Sequence, residues 1–150
     1  MQISSPAFVH EGRIPPQYTC DGPNICPPLK IAGVPQDASS LVLIMDDPDV
    51  PKHLRADGMW DHWVVFNIEP SLTVIEEGQE PEGTPGIGTG GNLKYYGPCP
   101  PDREHRYFFK LYALDTRLDL GAKATKQQVE KAMQGHILAQ AELMGKYERR

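Results

Sequence analysis

Four side chains in this sequence are of types that could hold a small anion together: Asp47, His62, His105 and Tyr107. Protonated imidazoles and a phenol hydroxyl are donors, and donors that converge on one point bind oxyanions. Asp47 would not touch an anion. Its expected part is to grip one imidazole through a ring nitrogen, favour the charged ring and leave the other N–H for the ligand. In "HRY" the alternation of strand side chains puts His105 and Tyr107 on one face and Arg106 on the other. The lead-in to that strand is "GPCPP", Gly97 to Pro101. Prolines have a fixed φ and no N–H, so this stretch is expected to be a rigid wall offering donors at Gly97 and Cys99, with Pro100 shaping the mouth.

Strands must deliver these groups to one place. "SLVLIMDD", Ser40 to Asp47, is a continuous apolar run that reads as a strand buried on both faces, stopped by the prolines of "DDPDVP". "HWVVFNI", His62 to Ile68, and "HRYFFKLYAL", His105 to Leu114, read the same way, and Leu29 to Ile31 reads as a shorter strand. The first ends in acids and the other two begin with histidine. If it runs antiparallel to both, all the polar ends meet at one edge of one sheet. Glu76 to Gly91, acidic and then glycine-rich, is expected to be a long exposed loop. Near the end, Thr125 and Gln128 have capping-box spacing. Val129, Met133, Ile137, Ala141 and Met144 then follow at intervals of four or three, which predicts one C-terminal helix lying on a sheet, kinked at Gly135.

At 150 residues the chain is expected to form a single domain with a sizeable core. Fifteen prolines and fourteen glycines favour a β protein with elaborate loops over a helical bundle. A net charge of −5 argues against nucleic acid or an anionic membrane face as a broad partner. No apolar run is long enough to span a membrane, and the N-terminus lacks a secretory pattern, so the expected location is cytoplasmic. Cys20, Cys26 and Cys99 are an odd set. We read them as reduced structural thiols, with a small-loop Cys20–Cys26 disulfide as the alternative in an oxidising setting.

Other chemistries fit less well. "GIGTGG", Gly86 to Gly91, matches a dinucleotide fingerprint, yet no helix follows to receive the pyrophosphate. There is no G-x-S-x-G elbow. Cys99 near His105 has the types of a thiolate and its base, but its place between prolines favours a backbone role. Asp47, Asp49, Cys99, His62 and His105 are competent metal ligands without the short spacings of a dedicated site, so no metal and no cofactor is expected.

With these residues placed, the chain resembles the phosphatidylethanolamine-binding protein family, in particular its bacterial and archaeal Raf-kinase-inhibitor-like branch. The resemblance rests on "DDPDVP", "WDHWVVFNI" and "GPCPPDREHRYFFKLYALD" in that order, with "YTCDGPNICPPL" before them and "GHILAQAELMGKYER" after. It implies a mainly β, α+β fold: a large antiparallel sheet, a second smaller sheet and peripheral helices. It also implies an anion pocket at one sheet end that takes phosphate-bearing ligands such as a phospholipid head group. Carried over by position, that pocket comprises Asp47, Trp60, His62, His105 and Tyr107, with Gly97 to Pro101 as its wall and Asp49 in a turn. A homodimer is implied by the same resemblance. The expected function is therefore a non-enzymatic binding protein, in which His62 and His105 donate charged hydrogen bonds and Tyr107 and the Cys99 N–H donate neutral ones. The alternative is an interaction protein that inhibits a kinase or protease through its surface.

Overall fold

The computed structural model describes residues 1–150. In chain order the elements are β1 (Gln2–Ser4), a 3-10 turn (Pro16–Tyr18), β2 (Leu29–Ala32), β3 (Ser40–Asp47), β4 (Trp60–Ile68), β5 (Val74–Ile75), β6 (Thr84–Pro85), β7 (His105–Leu114), α1 (Lys126–Met133) and β8 (Ile137–Tyr147). They form a large antiparallel sheet in the order β6-β4-β3-β7-β8 and a small one in the order β1-β2-β5, the mainly β architecture expected.

β3 is the spine of the large sheet, and every residue of it is buried. Its unbroken apolar run follows from cover on both faces. Leu41, Leu43 and Met45 face the small sheet and pack in one core with Leu29, Ile31, Phe109 and Leu111. Val42 and Ile44 face the other way and pack with Phe66, Leu118, Val129 and Met133 beneath α1. Each such side chain contributes roughly 1.5–3 kcal/mol by leaving water.

The long C-terminal helix does not form as predicted. Thr125 and Gln128 do make a reciprocal capping box, but α1 ends after two turns at Met133, and Gly135 turns the chain with φ +82°. Ile137–Tyr147 is then an edge strand in register with β7 from His105↔Tyr147 to Leu114↔Ile137. Its spacing suits a helix, but at period two Ala139, Ala141, Leu143 and Tyr147 all join the core between the sheets. The open edge of β7 is the stronger attractor, because every buried N–H and C=O on it needs a partner. The expected loop from Glu76 to Gly91 is also not wholly exposed. It contributes β6 to the sheet edge, and Gly86 is buried so closely that a Cβ there would lie 2.6 Å from the Ala124 carbonyl oxygen.

Asp46 points to the α1 side and is fully buried. Lys110 Nζ at 2.9 Å and Lys126 Nζ at 3.1 Å reach the same carboxylate oxygen, and Lys126 also reaches Asp61 at 2.8 Å. Burial alone would push the Lys126 ammonium down; Asp61 and Asp46 outweigh it, and the group is raised. Removing one partner of a buried ion cluster leaves charge uncompensated. Lys126→Met is therefore expected to lower the unfolding free energy by about 2–4 kcal/mol, measured by urea denaturation at neutral pH.

Candidate functional site

The register of β3 decides what meets at the sheet edge. Asp47 pairs with Trp60 on β4, and Asp46 pairs with Phe108 on β7. The acid end of β3 thus lies between the histidine ends of its two neighbours. A cavity of about 300 Å³ opens there, lined by Asp47, Val50, Leu54, Trp60, His62, Tyr96, Cys99, Pro100, Pro101, His105 and Tyr107. Of the pocket and wall residues expected from the sequence, Gly97 and Pro98 are missing from this lining; the Pro98 carbonyl instead accepts from the Cys20 N–H. The Gly97 N–H donates to Asn24 Oδ1 at 2.7 Å, so this residue is no donor for a guest. It must be glycine for another reason: a Cβ there would sit 2.0 Å from the Tyr18 carbonyl oxygen.

The wall is tied down from behind. Cys99 is bonded to Cys20, across 79 residues of sequence. This corrects both the reading of three reduced thiols and the Cys20–Cys26 alternative; Cys26 is the free, buried cysteine. The pairing follows from packing, since the Cys20 N–H donates to the Pro98 carbonyl at 3.1 Å and Tyr95 Oη donates to the Tyr18 carbonyl at 2.7 Å. It also removes Cys99 as a thiolate nucleophile. The Cys99 N–H makes no hydrogen bond within the chain.

The two histidines are held differently. His62 Nδ1 donates to the Tyr96 carbonyl at 2.6 Å. Burial pushes its imidazole down from 6.5 to about 4, only partly offset by that carbonyl and by Asp46. At neutral pH the ring is neutral, and Nε2 presents a lone pair. The expected charged donor is thus an acceptor. His105 is gripped on both sides: Nδ1 lies 2.6 Å from Asp47 Oδ2, and Nε2 lies 2.6 Å from Asp102 Oδ1. The Asp47 contact is the one anticipated. The Asp102 contact is a correction, because the second N–H does not face open space. The His105 hydrogen bond holds the Asp102 carboxyl below its usual range, so the aspartate is the acceptor. Burial raises the Asp47 carboxyl, against the pull of His105 and of the Asp49 N–H.

Tyr107 lies between the two imidazoles, edge-on to His62 with ring centroids 5.4 Å apart. Burial and the nearby Asp47 charge push its hydroxyl far up, so it stays protonated. Tyr107 Oη is buried beside the Asp47 carboxylate, which helps to hold it protonated, but the contact is not a well-formed hydrogen bond. Asp49 takes no part in the pocket: both its oxygens are engaged by Arg106, through Nε at 2.9 Å and the terminal nitrogen at 2.8 Å. Sequence reasoning missed Val50, Leu54 and Tyr96 as lining, and Cys20 and Asp102 as partners. Asp102 stands three residues before His105, so spacing alone offered a hint.

A family model described as phosphatidylethanolamine-binding protein matches residues 4–148. This chain belongs to that family. A UPF0098 protein of Methanothermobacter thermautotrophicus is 52% identical over 155 residues, covering 99% of each chain. One from Chlamydia pneumoniae is 50% identical over 149 residues, again covering 99% of each. Among solved structures, a protein of Chlamydia trachomatis described as a phosphatidylethanolamine-binding protein homologue matches with a TM-score of 0.97 at 48% identity, over 99% of this chain and 97% of that one. E. coli YbcL, described as a new member of the mammalian family, matches at 0.88 with 27% identity, over 99% and 98%. No helix of this chain is long and apolar enough to cross a membrane.

Two measurements probe this description. An unfolded His62 titrates near 6.5 and the folded one near about 4, so the unfolded chain binds the extra proton between those values and stability falls as pH falls through that window. The loss amounts to roughly 3 kcal/mol, absent above about pH 6.5; denaturation at several pH values should show it in the parent and not in folded His62→Gln. Separately, a cross-link closing so long a loop contributes about 4.5 kcal/mol on loop-closure entropy alone. Cys20→Ser should lower the denaturation midpoint accordingly.

Proposed function

We propose that this protein is a non-enzymatic binding protein for phosphate-bearing small molecules, including phospholipid head groups, and that the ligand sits in the cavity between His62, Tyr107 and the proline wall. The observation that carries this reading is Tyr107 Oη, a protonated donor buried at the cavity floor with Asp47 beside it but no well-formed hydrogen bond. Leaving such a group unpaired costs about 1–3 kcal/mol, and an oxyanion would satisfy it. The Cys99 N–H is a second unpaired donor in the lining. Trp60, Leu54 and the prolines supply apolar walls that exclude water and strengthen the polar contacts.

His62 enters through its lone pair. A monoprotonated phosphate can donate its own hydroxyl to Nε2, or the ring can take up a proton as the anion arrives. When the ring takes up the proton, or when a phosphomonoester that is a dianion in solution binds as its monoanion, one more proton is bound in the complex than in the separated partners, and binding strengthens as pH falls. Inorganic phosphate already carries a hydroxyl at either pH and gains no proton by donating it to Nε2. A binding role, and not catalysis, fits the loss of the Cys99 thiol to the disulfide. That bond also bears on location: disulfides persist where the surroundings are oxidising, which pulls against the cytoplasmic expectation.

The test is calorimetric titration with inorganic phosphate and with O-phosphorylethanolamine at about pH 5.5 and about pH 8. Saturable binding, tighter at the lower pH, is expected. Tyr107→Phe should weaken it roughly tenfold while changing stability by less than about 1 kcal/mol, because the hydroxyl loses only a poorly formed contact with Asp47. Folded protein that shows no saturable binding at either pH would sink the reading.

A further inference from the structure

His105 is fully buried and lines the cavity, yet neither ring nitrogen is open to a guest. The two carboxylates that occupy it are not equivalent. Asp47 is fixed by strand pairing on both sides, to Trp60 directly and to β7 one residue earlier. Asp102 lies in the bend between the proline wall and β7, outside any strand or helix. Its side chain is 39% exposed, and the Arg103 Nε stands 3.7 Å from its other oxygen. Asp47 is built in, whereas Asp102 can swing out to solvent at the expense of one hydrogen bond.

To an imidazole N–H, a carboxylate oxygen and a phosphate oxygen are the same kind of partner, each an anionic acceptor at short range. Asp102 is not among the residues that line the cavity, but it holds Nε2 of a ring that is, so an oxyanion in the cavity reaches that nitrogen only once Asp102 has left it. We infer that Asp102 is a built-in competitor: its carboxylate fills the anion position on His105, and a ligand gains that position only by displacing it. This rests on the anion-pocket reading above and deepens it by naming what sets selectivity. Asp102 is tethered three residues from the histidine, so its local concentration is high. A free carboxylate brings one charge and two oxygens, no more than the group it must evict, and is held at bay. A phosphomonoester brings a third oxygen and up to a second charge, and reaches Tyr107 and His62 as well as His105. The competitor thus selects phosphomonoesters over carboxylates. Displaced, Asp102 retains Arg103 as a partner at the rim.

The experiment compares Asp102→Asn, which keeps the shape and removes the charge, with Glu104→Gln. Glu104 is exposed on the same bend, so its variant reports the effect of simply removing a negative charge near the mouth. Both are checked for folding by thermal unfolding, then titrated with phosphate, O-phosphorylethanolamine and acetate. Asp102→Asn should bind the two phosphate compounds roughly tenfold tighter and narrow the margin over acetate, while Glu104→Gln changes affinity less than about twofold. If the parent binds phosphate and Asp102→Asn binds it no better, or Glu104→Gln gains as much, the competitor is overturned and the pocket stands. If Asp102→Asn weakens only O-phosphorylethanolamine, Asp102 holds the ammonium instead, which also overturns it. Phosphate binding seen in Asp102→Asn alone supports the competitor. Absence of binding in every protein overturns it together with the anion-pocket reading.

Discussion

The antiparallel register of β3 between β4 and β7 is the constraint from which the rest follows. It brings the end of one strand to the beginnings of two others, and those three ends carry the polar residues of the chain's centre. No loop has to reach across the molecule to assemble the pocket floor. Asp47, His62, His105 and Tyr107 stand where ladder hydrogen bonds put them, on elements whose apolar residues are buried on both faces. Groups held on strands in this way lose little freedom when a ligand arrives, which is the condition for binding a small anion with few contacts.

The wall is made in a different manner. Its prolines restrict the backbone, but they do not by themselves say where the segment lies. That is decided by contacts with the N-terminal third of the chain: Gly97 against Tyr18 and Asn24, Pro98 against Cys20, and Cys99 bonded to Cys20. The pocket therefore joins two kinds of order, a floor fixed by strand pairing and a wall fixed by a cross-link and close backbone approach. Asp102 lies at the seam between them. It leaves the wall just before β7 begins, and for that reason it can touch the floor without belonging to it.

What the sequence revealed follows the range of the interactions involved. β3 and β7 were legible to the residue, because long apolar runs end at prolines or polar pairs. The gathering of Asp47, both histidines and Tyr107 was legible because it needs only period two and an antiparallel arrangement. β8 was not. Its core-facing set includes two alanines, weak markers, while the spacing of Val129, Met133, Ile137 and Ala141 satisfies a helix equally well. What rules out the helix is the unpaired edge of β7, a tertiary fact. The Cys20–Cys99 bond was hidden for the same reason, since Cys26 is the nearer partner in sequence and the farther one in space. The state of His62 depends on the Tyr96 carbonyl and on burial, neither of which its neighbours in the chain disclose.

Asp46 and Asp47 are adjacent and chemically identical, yet they face opposite sides of one sheet. One meets two lysines and the other a histidine. A strand as uniformly apolar as β3 has a weak point, because a shift of one residue merely exchanges one set of aliphatic side chains for another. The two acids remove that ambiguity. In the slipped pairing, the carboxylate meant for the lysines would turn toward the imidazole layer, and its neighbour would turn the other way. Each would be offset along the strand from its countercharge and buried without it, a penalty that aliphatic packing could not hide. The pair acts as a registration mark for the sheet, and the same residue that helps to build the pocket helps to ensure that the strand carrying it is threaded correctly.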